Sequence, residues 1–388
     1  MKKVLVIGGF KNYHKRLKNL GYKIDIIKNK NKISPEDANL YNKIIGLDDI
    51  DNYDKECTKL VNFIKNNKYD FIYNYSEKGQ LLTAYLCQQT GYPYHSIDTV
   101  KAVNNKYIMR KKLQNTMLDN VKYKLIKSSQ DLMRLKIDSP WILKPLDSWG
   151  SNNIKTLSKN NLYNTYIKSL HYPFLAEEKI EGDEYSVEAF VKDDNFLIIS
   201  ITKKYVDPLT FVELGHTVRI KLQKHLYNKL RKFLQILFSK LGIKDGITHT
   251  EFKIQNDNIY LIETHIRMGG DKISDAISFS TNIDIDDLIV KESIYKELPL
   301  FTPLDSRPVS IYFGIPKING IIDSISFNGI KNKNILFEEF LIHAGEYQSK
   351  LHSSFERTAV VIATGNNHID SLYNARSRIS QLNVAIRK

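Results

Sequence analysis

The sequence predicts a mixed fold in three parts: α/β at its start, α+β through its middle, and a small closing lobe. Three observations carry this. The chain opens as strand, helix, strand; its middle holds antiparallel strands with turns near Gly182, Asp194 and Asp257; and the hairpin around the last of these turns sets two glutamates, Glu251 and Glu263, in otherwise apolar strands. At 388 residues the chain is long enough for two or three such units.

Lys2 to Gly9 reads as a short buried strand ending in two glycines, followed by a basic helix from Tyr13 to Leu20 and a second strand from Lys23 to Ile27. The glycine pair lacks the third glycine of a dinucleotide fingerprint and is read as a strand-to-loop turn. Ile44–Leu47, a helix around Cys57 to Asn66 and Phe71–Tyr75 continue the alternation, so residues 1–97 are expected to build one small parallel sheet. Asp98 to Leu118 turns helical and carries Lys106, Arg110, Lys111 and Lys112. Trp141–Pro145 is a strand stopped by proline, and the loop after it is rich in Ser, Asn and Gly. Strands follow at Phe174–Ile180, Glu184–Lys192 and Leu197–Lys203. Leu230, Phe233, Leu234, Leu237, Phe238 and Leu241 recur at helical spacing, which predicts a core-facing helix over 227–241. Residues 98–300 therefore form a central unit. Residues 301–388 are expected to form a lobe with strands at Val309–Ile315, Ile335–Ile342 and Arg357–Thr364, a turn at Gly320 and a final helix near Ile369–Gln381.

The formal charge of +14 admits anionic partners without choosing among them. Lysines are spread along the whole chain and no nucleic-acid-binding signature accompanies them, so no nucleic-acid partner is expected. No apolar run is long enough to cross a bilayer and no signal-peptide layout opens the chain, which predicts a soluble cytoplasmic protein. Cys57 and Cys87 lack metal-ligand spacing and are expected as reduced thiols.

A carboxylate inside a strand must neutralise, pair with a base or bind a cation, because desolvation alone costs several kcal/mol. Glu251 and Glu263 thus have two open readings, a structural ion pair or an oxygen site for Mg²⁺ or Mn²⁺. Arg267, just beyond, suits a phosphate or carboxylate oxygen. His216 and Arg219, in "FVELGHTVRI", read equally as a surface loop or as substrate contacts.

In order, the motifs are a lysine in a basic helix, a lysine closing a strand before a small-residue loop, Glu177-Glu178 before a Gly182 turn, and the two-acid hairpin ending in arginine. Along nearly its whole length this order resembles the ATP-grasp superfamily of carboxylate-amine ligases. The tail "HAGEYQSKLHSSFERTAVVIATGNNHIDSLYNA" resembles the superfamily's amino-acid ligase branch. The resemblance implies an ATP-grasp fold in which 1–97 precede the nucleotide-binding domain, 98–300 form it, and 301–388 complete the enzyme. It implies that Lys106 and Lys144 hold the nucleotide phosphates, with Ser151 and Gly150 keeping part of a loop over them. Glu177, Glu178 and the backbone to Ile180 would meet the adenine edge, Glu184 the ribose hydroxyls, and Glu251 and Glu263 the magnesium ions. Arg267 would stabilise charge during phosphoryl transfer.

Two departures from the family pattern stand out. His265 occupies the place of an asparagine ligand, and the loop after Pro145 is poorer in glycine than the family's. The implied reaction joins a small carboxylate to an amine through an acyl phosphate, releasing ADP and phosphate. Amino acids are the implied substrates, His216, Arg219 and Arg267 lie at the substrate end, and a homodimer is the implied assembly. A ligase for another carboxylate and a catalytically silent nucleotide-binding module are the rival expectations.

Overall fold

The computed structural model describes residues 2–52, 56–136, 138–147, 150, 153–158, 172–301 and 306–387. Strands β1 (Lys3–Ile7), β2 (Lys23–Asn29), β3 (Lys43–Leu47) and β4 (Phe71–Tyr73) form a parallel sheet in the order β3-β2-β1-β4. Successive residues of β1 serve opposite faces. Leu5 and Ile7 pack with Leu60, Ile64, Leu82 and Leu86 of the helices Cys57–Lys65 and Gln80–Thr90. Val4 and Val6 pack into a different core, shared with the rest of the chain.

The predicted helix over 98–118 is instead two, Ile97–Asn104 and Lys106–Lys112. Asn105 adopts an extended backbone, and its side chain accepts from the backbone N–H of Tyr107 and Ile108, ending one helix and capping the next. Lys106 is thereby the first residue of a new helix. Four antiparallel strands follow, β5 (Tyr123–Ile126), β6 (Trp141–Pro145), β7 (Lys155–Leu157) and β8 (Phe174–Glu178), in the order β5-β8-β6-β7. Trp141, Leu143 and Phe174 give this small sheet its own core.

Strands β9 (Asp183–Lys192), β10 (Asn195–Val206), β11 (Glu213–Val218), β12 (Asp245–Gln255), β13 (Asn258–His265), β14 (Val309–Gly314), β16 (Ile335–Phe340) and β18 (Ala359–Thr364) make one antiparallel sheet, ordered β13-β12-β9-β10-β11-β14-β18-β16. Three of its strands come from the last segment of the chain. Strands β15 (Gly320–Phe327), β17 (Tyr347–Gln348) and β19 (Leu382–Ile386) form a separate small sheet. Gly320, predicted as the centre of a turn, opens β15 with φ 144°, and Ile386 of the neighbouring strand fills the space a Cβ would need.

On one face of the large sheet Val187, Val191 and Phe252 pack under helix Lys224–Leu241 through Leu230, Phe233, Leu234 and Leu237, as the spacing predicts. On the other, Phe190, Ile247, Val309 and Ile311 join helices Ile273–Thr281 and Ile285–Tyr295 and meet the N-terminal sheet. "FVELGHTVRI" is not a surface loop: its middle is β11, hydrogen-bonded on both sides, and His216 and Thr217 are buried. Among the described residues no helix is long and apolar enough to cross a membrane. Cys57 and Cys87 are buried and unbridged.

Gly182 turns the chain from β8 into β9 with φ 108°, and a Cβ there would stand 2.2 Å from the carbonyl oxygen of Ile254. Because that neighbour is backbone, it cannot swing aside. Gly182→Ala is expected to lower unfolding free energy by roughly 1–3 kcal/mol, read by urea denaturation; an unchanged midpoint would show that the turn has room to relax.

Candidate active site

The parallel sheet, the small antiparallel sheet and the large sheet leave between them a cleft of about 880 Å³. Its floor is the large sheet, and the hairpin β12–β13 supplies the acids. Glu251 and Glu263 are directly opposite in register, but the register shifts by one residue between Glu251 and Phe252. The bulge re-aims Glu263: Leu261, two residues earlier, packs in the core with Phe252, whereas Glu263 lines the cleft beside Glu251.

Each acid is met by a lysine and a histidine. Lys106 Nζ lies 2.9 Å from Glu263 Oε2, and His265 Nε2 lies 3.2 Å from Glu263 Oε1. Lys204 pairs with Glu251, and its Nζ is also 3.3 Å from Glu213 and 3.6 Å from Glu184. His249 bridges Glu251 at 3.0 Å and the fully buried Glu188 at 2.8 Å. Burial alone would raise the carboxyl pKa values, but Lys204 and His249 bring Glu251 down to about 2, and Lys106 with His265 holds Glu263 well below its usual range. Burial would likewise discharge His249, yet hydrogen bonds to Glu188 and Glu251 raise it to about 9. Glu184 goes the other way: burial pushes its carboxyl up despite Lys204.

A second charged knot hangs over this floor from the small sheet. Lys144 of β6 lies 2.8 Å from Glu177 of β8, and Arg110 Nε lies 2.6 Å from the other oxygen of the same carboxylate. Arg110 also donates to the carbonyl of Leu261 at 2.6 Å, tying the small sheet to β13. Burial opposes ionisation of Glu177, but Arg110 and Lys144 keep it at about 2. Glu178 accepts from the backbone N–H of Lys122 at 2.9 Å, at the rim. At the far end Arg267 grips Glu77 with Nε at 2.9 Å and Nη2 at 2.6 Å, and Arg357 with His216 holds Asp271 well below its usual range, against burial.

The cleft therefore collects Lys106, Lys144, Glu177, Glu178, Ile180, Glu184, His216, Glu251, Glu263, His265 and Arg267 of the sequence-predicted residues. It does not include Arg219. That side chain donates to Ser306 Oγ at 3.0 Å and the Ile199 carbonyl at 2.9 Å and stacks on Phe301, away from the cleft. Ser151 lies outside the described residues, while Gly150 accepts from the backbone N–H of Ser354 at 3.2 Å. Sequence reasoning missed Lys204, Glu77, Glu188, Asp271 and Arg357. Lys204 had a usable signal, a charged residue in a strand otherwise rich in apolar residues; Glu77 had none, because its partner Arg267 lies 190 residues further along the chain.

A hard divalent cation fits the pair Glu251–Glu263. Both carboxylates are held ionised, offer oxygen donors and already require positive charge beside them, which the lysines provide. Among the described residues no group of three or more His, Cys, Asp or Glu is placed to hold a metal. Two carboxylates suit a small octahedral ion that takes its remaining ligands from water and phosphate.

Residues 137–275 match the model of the ATP-grasp domain, and the chain folds as an ATP-grasp protein. The whole chain superposes on 99% of the L-amino acid ligase from Bacillus licheniformis, with TM-score 0.86 and 17% identity. It superposes on all of phosphoribosylglycinamide synthetase from Anaerococcus prevotii, with TM-score 0.73 and 16% identity. For the biotin carboxylase domain of 2-oxoglutarate carboxylase from Hydrogenobacter thermophilus, crystallised with MgADP and bicarbonate, 99% of this chain covers 90% of that one at TM-score 0.69 and 16% identity. No curated protein matches by sequence.

The Glu177 knot makes a pH-dependent claim. A carboxylate lowered to about 2 by folding contributes stability above its unfolded value near 4.5, and loses it as pH falls through about 2. The stability gap between the wild type and Glu177→Gln should be of the order of 3 kcal/mol near neutrality and close progressively below pH 4.5. Urea unfolding from pH 7 to pH 2 checks this; parallel curves for the two proteins would refute it.

Proposed function

We propose that this ATP-grasp chain is an ADP-forming carboxylate-amine ligase that joins amino acids or amino-acid-like substrates. One observation carries the reading: two carboxylates held ionised side by side on the cleft floor, with Lys106, Lys144 and Arg267 around them. The likeness over full length to an L-amino acid ligase supports amino acids as the substrate class. Residues 1–97, 98–300 and 301–388 are proposed as its three working parts, in a cytoplasmic enzyme that assembles as a homodimer.

Glu251 and Glu263 would hold Mg²⁺ or Mn²⁺, which when bound would neutralise phosphate charge. The lysines now spent on Glu263 and Glu177 are the cations that a triphosphate would draw toward itself, and Glu184 and the Glu178–Ile180 edge would position ribose and base. A substrate carboxylate oxygen attacks the γ-phosphorus, and the bond from that phosphorus to ADP breaks. The amine then attacks the acyl carbon and phosphate departs with the bonding electrons, while the amine loses a proton. Arg267, fixed by Glu77, would hold the oxygens that gain charge, and His265 would orient Glu263.

Purified protein with ATP, Mg²⁺ and pooled amino acids should release phosphate only when the pool is present, with a new amide product by mass spectrometry. Glu263→Gln and Lys144→Ala should each lower that rate by about 10² or more while the protein stays folded by thermal melting. Absence of release across amino acids and other small carboxylates, with ATP still bound, would leave a nucleotide-binding module instead.

A further inference from the structure

The cleft continues beyond Arg267 into the N-terminal sheet, past the carboxyl ends of β1 and β4. The strand order β3-β2-β1-β4 reverses direction between β1 and β4, so the loops leaving them part to opposite sides. Open parallel sheets take ligands in that crevice. Here Gly8, Gly9 and Phe10 border it from β1, and Tyr75, Ser76 and Glu77 from β4.

Among the described residues its charged lining is mainly basic: Lys11, Lys28 and Lys32 border it beside the carboxylate of Glu77, which Arg267 already grips. A chain this rich in lysine will show basic surface by composition alone, and that is the bland account of the cluster. Two features set the recess apart. Lys28 is not a surface lysine; only 12% of its side chain is exposed, and fully buried Asp37 fixes its head at 2.6 Å. The same carboxylate reaches Lys11 at 3.1 Å, so one negative charge is shared between two ammonium groups and the recess keeps net positive charge. Glu36, 3.4 Å from Lys11, is 85% exposed and screened by solvent. The helix Lys11–Asn19 also begins here, its positive end bordering the recess and capped by no side chain.

We propose that this recess binds an anionic group, carboxylate or phosphate, carried by one of the substrates away from its reacting end. The location rests on the recess itself; the identification of the ligand as a substrate rests on the ligase reading. The wall favours an acidic or phosphorylated amino acid over a neutral one, because Asp37 is shared between Lys11 and Lys28 and leaves positive charge that an anionic group neutralises and a neutral side chain does not.

Calorimetry on the full chain with Mg²⁺ and ADP present, using glutamate, O-phosphoserine, glutamine and serine as probes, tests this. At least one anionic probe should bind ten-fold or more tightly than its neutral counterpart; which of the two does so separates carboxylate from phosphate. Lys11→Gln/Lys32→Gln should abolish that preference, and Lys32→Gln alone, at an exposed position, should reduce it without risk to the fold; retained ADP binding reports intact protein. Equal binding of charged and neutral probes, no binding of either anionic probe, or a preference that survives the double substitution would each overturn the proposal. Amino-acid-dependent phosphate release with no such preference would sink the recess while leaving the ligase reading standing. Selective anion binding without phosphate release would do the reverse.

Discussion

The cleft depends on keeping two neighbouring carboxylates, Glu251 and Glu263, charged inside protein. Like charges this close repel, and each loses most of its hydration; neither state is tolerable without cations at contact distance. The chain meets that requirement with different partners for each acid, Lys204 and His249 for one, and Lys106 with the ring nitrogen of His265 for the other. Such a network is a poor source of stability, since removing both charges together would cost little, but removing one alone would strand its partner. Its persistence on the floor of the cleft is better understood as preparation of a charged surface than as fastening of the fold.

Much of the surrounding architecture serves to deliver those cations from separate places. Lys106 arrives because Asn105 breaks one helix and starts another, and Lys204 because β10 runs beside β9 and carries it across from Glu184; Lys144, the partner of Glu177, is brought in where β6 ends at the cleft. The apolar cores lie to either side, under helix Lys224–Leu241 and between the large and the parallel sheets, and the charged groups gather in the seam that those cores leave open.

How much of this was readable beforehand follows the range of the interactions. Local pattern found the opening strands, the amphipathic helix ending at Leu241 and the acidic hairpin, because each is written in spacing over a few residues. Order along the chain picked out Lys106, Lys144, Glu177, Glu178, Glu184, Glu251 and Glu263, which line the cleft, but not Lys204 or Glu77. Local pattern failed where neighbours decide: β11 could be read as a surface loop, since the partners of its polar His216 and Thr217 are Asp271 and Ser310 from later segments and Tyr205 of β10. The bulge that turns Glu263 into the cleft is equally silent in the sequence, because the pairing of two strands, and not the composition of one, sets it. Arg219, attractive as a charge near His216, is claimed by a serine and a carbonyl that only the folded chain brings near.

The clamp between Arg267 and Glu77 has a consequence for how separable the parts of this molecule are. A guanidinium near the end of the acidic hairpin holds a carboxylate from a loop 190 residues earlier, with two nitrogens on one oxygen. Cutting the gene after the parallel sheet would give one fragment a bare acid and the other a bare base, each at a surface otherwise made for contact. The N-terminal sheet is thus less a removable module than a missing wall of everything that follows it.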